Sequence, residues 1–325
     1  MKGGEIVLSY GCLFSDRSEA LLDGRVKVEG VSIVTELRQS QPLFADVLRQ
    51  AKYDMAEMSL GSHIAAIGAG KRDYVGLPVF LSRSFRHSNI YIRTDRGIAS
   101  PADLAGKRVG VIDYQQTATA WVRGMLADDY GVERESVVWI TGGLQAPVLE
   151  DRMKMAPRPG LSITRTTSTL DALLASGEID SVICPTAPQC FTQGHPHVAR
   201  LFPDYRADEI AFHRRTGLFP LMHCVVLRRS LAEDHLALPC MLFEAFSKAK
   251  DLAYVDLGSR DYPKLSMPWL VYYRNDALTA IGGDIWTYGV EANRHDIATL
   301  LRYAAEDGLT DRQLTIEEVF APVGN

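Results

Sequence analysis

Long apolar runs are missing from this chain: no segment approaches the roughly 20 continuous apolar residues of a membrane span, so no membrane partner is expected. Cysteine is scarce. Cys12, Cys184, Cys190, Cys224 and Cys240 are odd in number and scattered, with no C-x-x-C pair, so neither a disulfide framework nor a zinc site is signalled and mostly buried thiols are expected. Positive charge is not in excess either. A formal net charge of −5, with no stretch that interleaves basic and aromatic residues, argues against a general nucleic-acid surface. The opening Met1-Lys2-Gly3-Gly4-Glu5 runs straight into an alternating strand, without an apolar stretch of signal-peptide length or a small-residue cleavage site, so a cytoplasmic location is expected.

What is present is ordinary globular material. A chain of 325 residues with 46% hydrophobic and 23% charged content predicts two lobes of ordinary size with a cleft between them. Because the global field is negative, an anionic ligand would have to be drawn in by local arginines, which makes clustered arginines informative.

The pattern begins with a strand at Ile6, Leu8 and Tyr10, a polar loop over 11–19, and a second strand over Val31 to Leu37. Ser40 and Pro42 open a helix whose apolar residues Leu43, Phe44, Val47, Leu48 and Ala51 fall at helical spacing, and Asp54 leads into a strand from Met55 to Met58. Ser59 then stands as N-cap of a helix that ends near Gly68. Strands over 74–81 and 88–94 flank the basic loop Arg83-Ser84-Phe85-Arg86-His87. Ser100 caps, Pro101 takes the first helical position, and Gly106 ends the turn before a strand at Arg108 to Ile112. Thr117 to Tyr130 is the clearest helix, with Gly131 as its stop and Trp121 and Met125 read as core. A region rich in Pro, Met and Arg runs from about Gly142 to Pro159. A helix, polar turn, aspartate and strand recur at Leu170 to Cys184, as at Leu43 to Met58, which two similarly wound lobes would produce. Alternation of this kind predicts mostly parallel sheets whose ligands bind beyond the carboxyl ends of the strands. A return strand from Cys224 to Arg228 precedes helices at 236–252 and 296–308, expected to pack on the first lobe.

Two stretches, Ile90 to Asp95 followed by Ser100 to Gly110, and Val225 to Leu231, resemble the two crossovers of a type II periplasmic-binding-protein-like fold. That likeness divides the chain into a first lobe of 1–95 and 221–325 and a second lobe of 96–220, with a substrate cleft between them. A more specific resemblance is to the 4,5-dihydroxyphthalate decarboxylase family. It is carried by Asp23-Gly24-Arg25-Val26, Glu57-Met58-Ser59-Leu60, Pro78-Val79-Phe80, Ser82 to His87, Gly110-Val111 with Tyr114-Gln115, Thr117-Ala118 with Trp121 to Gly124, Thr141 to Leu144, and Tyr288-Gly289 with Asn293-Arg294. At Trp286-Thr287-Tyr288-Gly289 the family's Trp-Pro-Tyr-Gly-type run is only partly met.

The resemblance implies a carboxy-lyase of phthalate degradation that converts 4,5-dihydroxyphthalate to 3,4-dihydroxybenzoate. An unassisted aryl carbanion is too costly, so the ring carbon that bears the carboxylate must be protonated while a hydroxyl para to it feeds electron density into the ring. The site then needs carboxylate clamps, an acid for carbon and a polar partner for the hydroxyl. Arg83 and Arg86 suit the clamp. His87 is the first choice for the proton donor and His223 the second, with Glu57 holding an imidazole protonated or accepting a phenolic proton. Ser59, Tyr114, Thr117 and Tyr288 are expected to touch substrate, Thr117 where a helix N-terminus presents free N–H groups. Glu57, His87 and His223 are a mixed set that a transition metal accepts, but no ligand motif supports one and no cofactor is expected. A homo-oligomer is expected on base rates alone. The competing readings are a solute-binding receptor for an aromatic acid, and another lyase or dehydratase on the same fold; turnover of an ortho-dicarboxylated catechol separates them.

Overall fold

The computed structural model describes residues 5–148, 150, 152, 153 and 158–323. The chain divides into two compact units: Met1–Arg83 with Leu221–Ala298 and Leu314–Asn325, and Ser84–Pro220 with Thr299–Gln313. Each is built on one sheet, as the alternation of short β-rich runs and helical repeats dictates.

The strands in chain order are β1 (Ile6–Cys12), β2 (Val31–Leu37), β3 (Met55–Ser59), β4 (Tyr74–Arg83), β5 (Ile90–Arg93), β6 (Arg108–Val111), β7 (Val138–Thr141), β8 (Ser162–Arg165), β9 (Ser181–Ile183), β10 (Val198–Arg200) and β11 (Leu221–Arg228). In the first unit the order is β2-β1-β3-β11-β4. There β1 runs parallel to β2 and β3, and the return strand β11 lies antiparallel between β3 and β4. The second unit has the order β10-β5-β9-β6-β7-β8, with β6, β7, β8 and β9 parallel and β5 antiparallel to β9 and β10. The two-sheet α/β architecture is the one expected.

Helix Ser40–Gln50 buries Leu43, Phe44, Val47 and Leu48 against the first sheet, the residues its periodicity selects. Helix Leu238–Gly258 buries Leu242, Ala245, Phe246 and Ala249, and the Phe246 ring meets Tyr10 of β1 edge-on at 5.9 Å. Helix Thr117–Tyr130 keeps its expected bounds but is buried on every side from Thr117 to Leu126 rather than along one stripe. Gly124 in this helix lets the Tyr303 ring cross it, since a Cβ there would overlap the ring.

The repeated aspartate has the same task in each unit. Asp54, entering β3, accepts hydrogen bonds from the Ser9 backbone N–H at 2.9 Å and hydroxyl at 2.6 Å on β1. Asp180, entering β9, accepts from the Arg108 N–H of β6 at 2.9 Å.

Two boundaries differ from expectation. Residues 84–95 belong with the second unit, because β5 pairs with β9 and β10. Thr299–Gln313 also belongs there rather than with the first lobe: the buried Asp307 carboxylate accepts from Arg123 and from Arg134, each at 2.5 Å, and ties the tail down. Helices at Asp16–Leu22 and Tyr205–Thr216 were not expected, while Leu270–Ile281 falls in the stretch after the return strand that was expected to be helical. Among the described residues no helix is long and apolar enough to cross a membrane.

Candidate active site

All five residues of β3 are buried, so Glu57 places a carboxylate in a core position and must find partners. It finds two. The Leu13 backbone N–H, just past the end of β1, donates to Oε2 at 3.2 Å, and His223 Nδ1 lies 2.8 Å from Oε1. His223 is opposite Ser59 on β11, between two breaks in the register with β4, and its ring meets the Phe44 ring edge-on at 5.0 Å. These breaks place the imidazole at the carboxyl ends of the parallel strands, where ligands of such sheets bind.

The geometry fixes the direction of the imidazole chemistry. With Nδ1–H donated to the carboxylate, Nε2 is the nitrogen left for a ligand, and among the described residues it makes no hydrogen bond. The Glu57 side chain is 4% exposed and that of His223 22%, so the carboxylate is the sheltered member and the imidazole the reachable one. A carboxylate that orients one ring nitrogen and compensates the charge on the other is a general design for moving a proton.

Around this pair stand further polar groups of the first unit. Ser59 is buried and its Oγ accepts from the Ser62 hydroxyl at 3.2 Å. Tyr288 is buried, among the described residues its hydroxyl has no hydrogen-bond partner, and burial pushes that hydroxyl's pKa up. Arg17, absent from the sequence expectations, lies in the first turn of helix Asp16–Leu22. Its guanidinium stacks 4.3 Å over the Trp286 ring and donates to the Leu81 carbonyl at 2.8 Å. The one sequence signal for it was its place directly after the first strand.

Arg83, expected as a clamp, has several partners within the first unit. Its side chain is 3% exposed, and it donates to Asp296 at 2.6 Å, Asn293 at 2.8 Å and the Thr287 hydroxyl at 2.9 Å. The guanidinium thereby fastens the C-terminal segment to β4.

The remaining expected residues lie in the second unit. His87 is buried edge-on to the rings of Phe202 and Phe212, and among the described residues its Nδ1 has no hydrogen-bond partner. Burial, with a smaller opposed contribution from Asp129, holds its pKa down at about 4, which favours the neutral imidazole near neutral pH. Arg86 is half-buried, and burial pushes it down only to about 10, which leaves it charged at neutral pH; it donates to Asn89 at 2.8 Å. Tyr114 is covered by the Arg123 guanidinium at 3.7 Å and pushed up to about 12 by burial. Thr117 is the first residue of its helix and is buried.

The chain is similar to known proteins over most of its length. It is 40% identical over 309 residues to the 4,5-dihydroxyphthalate decarboxylase of Comamonas testosteroni, covering 94% of each chain. To the 4,5-dihydroxyphthalate decarboxylase of Pseudomonas putida it is 44% identical over 190 residues, 58% of this chain and 74% of that one. Residues 75–157 match the NMT1/THI5 like family model. Among solved structures, the periplasmic aliphatic sulphonate binding protein SsuA from Escherichia coli superposes with a TM-score of 0.53 at 14% identity, over 97% of both chains, a likeness of fold. The fold is thus that of the type II periplasmic-binding-protein-like group, and the chain belongs to the 4,5-dihydroxyphthalate decarboxylase family.

Proposed function

We propose that this protein releases carbon dioxide from 4,5-dihydroxyphthalate to leave 3,4-dihydroxybenzoate, with His223 as the proton donor to the ring. Kinship over nearly the whole chain supports the reaction. The observation that carries the residue assignment is the 2.8 Å contact between Glu57 and His223.

The protonated imidazole delivers Nε2–H to the ring carbon that bears the departing carboxylate, while the para hydroxyl supplies electron density to the ring. The carbon–carbon bond then breaks, its electron pair returns to the ring, and carbon dioxide leaves. One proton is consumed per turnover, and His223 takes the next from solvent. Glu57 compensates the positive ring charge before transfer. Within the first unit, Arg17 supplies a guanidinium group for a substrate carboxylate. Five free cysteines, four of them buried, accord with a reducing compartment, and we place the enzyme in the cytoplasm.

The test is product formation from 4,5-dihydroxyphthalate by metal-stripped protein beside His223→Asn and His87→Ala variants. We expect wild-type turnover, a loss of about 100-fold or more in His223→Asn, and a rate within a few-fold of wild type in His87→Ala. Tight binding without release by the wild type, even after metals are restored, would replace this reading with that of a receptor.

A further inference from the structure

The register between β4 and β11 breaks beside the imidazole. From Val225 to His223 the return strand takes two steps, while its partner takes five, from Leu77 to Ser82, so β4 bulges there. The surplus residues include Pro78-Val79-Phe80, one of the runs that carry the family resemblance. Carbonyls in such a bulge leave the sheet ladder and, on a buried strand, need other donors. Three find them outside the sheet. The Pro78 carbonyl accepts from the Gly289 N–H at 2.8 Å and the Phe80 carbonyl from the Trp286 indole N–H at 2.8 Å. The Leu81 carbonyl accepts from Nε and Nη2 of Arg17 at 3.2 and 2.8 Å.

Two of these donors also meet each other. The Arg17 guanidinium lies 4.3 Å over the Trp286 ring, which covers one of its faces. The indole is fixed in turn, since the Trp286 backbone N–H donates to Asp284 at 2.9 Å and Asp284 is joined to Lys250 at 2.8 Å. A guanidinium has five N–H donors. Leu81 takes two and Asp16, 2.6 Å from Nη1, takes one, so among the described residues two are left, one on each terminal nitrogen. That is the pair a carboxylate accepts in bidentate fashion. The side chain is 20% exposed and so reachable, and Leu81 adjoins Ser82, the residue opposite His223.

Of the substrate's two carboxylates, one must become neutral carbon dioxide. A guanidinium paired with that one would hold the ground state more tightly than the transition state and slow the reaction; paired with the other, it binds both states alike. We propose that Arg17 grips the carboxylate that stays on the ring, and that Trp286, pinned to the β4 bulge, is the positioning residue that fixes the guanidinium for it. The inference rests on the reaction proposed above. The ring carbon next to the gripped carboxylate is then the one presented to His223. The product's single carboxylate still belongs to Arg17, so none is presented and the reaction stops after one carbon dioxide.

The test joins turnover to a titration that needs none. Arg17→Met, Trp286→Leu, Trp286→Phe and the double variant Arg17→Met with Trp286→Leu are compared with wild type for kcat and KM on 4,5-dihydroxyphthalate, and for the Kd of 3,4-dihydroxybenzoate by calorimetry. We expect Arg17→Met to raise KM and Kd in parallel by about 10- to 100-fold, as for a lost charged contact, with kcat lowered by less than about threefold. Trp286→Leu should raise both about 3- to 20-fold and add nothing once Arg17 is gone, while Trp286→Phe, which keeps a ring under the guanidinium, should stay within about threefold of wild type. A Trp286→Leu effect that persists without Arg17 overturns the positioning role. A raised KM in Arg17→Met with product Kd unchanged overturns the assignment to the retained carboxylate. If wild type releases no carbon dioxide yet binds 3,4-dihydroxybenzoate with this dependence on Arg17 and Trp286, the proposed reaction fails and the clamp stands.

Discussion

Replacing Arg83 with methionine distinguishes an anchor from a clamp. Its guanidinium is joined to Asp296 at 2.6 Å, with side-chain exposures of 3% and 9%. Removing one member of a buried ion pair leaves the other charge without its counter-ion in a poorly solvated place, which costs about 3–5 kcal/mol. Asp296 sits in the first turn of helix Arg294–Glu306, where the helix dipole returns up to about 1 kcal/mol of that. Asn293 and Thr287 lose a donor but keep their own hydrogen bond at 2.9 Å. The net expectation for Arg83→Met is a loss of about 3–4 kcal/mol, seen as a fall in Tm on the order of 5–10 °C. Adding Asp296→Leu removes the stranded carboxylate and is expected to restore most of that loss. Scanning calorimetry gives the stability of the single and double variants, and steady-state carbon dioxide release gives KM. The double variant is expected to keep KM within about threefold of wild type, because its carboxylate-binding groups are intact. A single variant of wild-type stability, or a restored double variant whose KM rises by about 100-fold, would refute the anchor and return Arg83 to the clamp, since a lost charged contact to substrate is worth about 2–3 kcal/mol.

Acid should weaken both units. His63 in the first and His87 in the second are held down at about 4 by burial, against 6.5 in the unfolded chain. Between those values the unfolded state binds more protons, so the stabilisation from each neutral ring, up to about 3 kcal/mol, is complete above pH 6.5 and is lost as pH falls toward 4. Urea unfolding at pH 7.5 and pH 5 checks this, and His87→Phe should flatten the decline; equal stability at both pH values would contradict it. Gly124→Ala should destabilise by about 1–3 kcal/mol although alanine favours helix by about 1 kcal/mol, because the new methyl overlaps the Tyr303 ring. A gain in Tm for this variant would count against the packing described.

Much of the architecture was legible because its signals are local. Strand Val31–Leu37 and helix Thr117–Tyr130 carry their periods and stops within their own residues, and both lie where expected. Helix Asp16–Leu22 was hidden because seven polar-rich residues offer little period; only Ser18, Ala20 and Leu21 are buried. The return strand begins at Leu221, ahead of the expected Cys224, because pairing with β3 and β4 extends it through His223. Within the site, Glu57 and His223 were both named, yet their contact spans 166 positions and no local pattern encodes it. His87 was ranked first because an imidazole in a basic loop can be poised near neutral pH; its packing against Phe202 and Phe212 comes from distant residues that no local pattern shows. The Arg83 partner Asp296 was likewise hidden, since it is 213 positions away.

The aspartate that enters β3 has a further consequence for the chemistry. Parallel strands have no hairpin turn to fix their alignment, and a slip of one position sends every side chain to the opposite face. Asp54, bound twice to Ser9, locks that alignment three residues before Glu57. A slipped β3 would carry the carboxylate away from His223 and put an apolar neighbour, Ala56 or Met58, in its place. Such a chain would look folded by its helix content and have no acid. Asp54 thus acts as a fidelity device, raising the fraction of folded molecules that are also active.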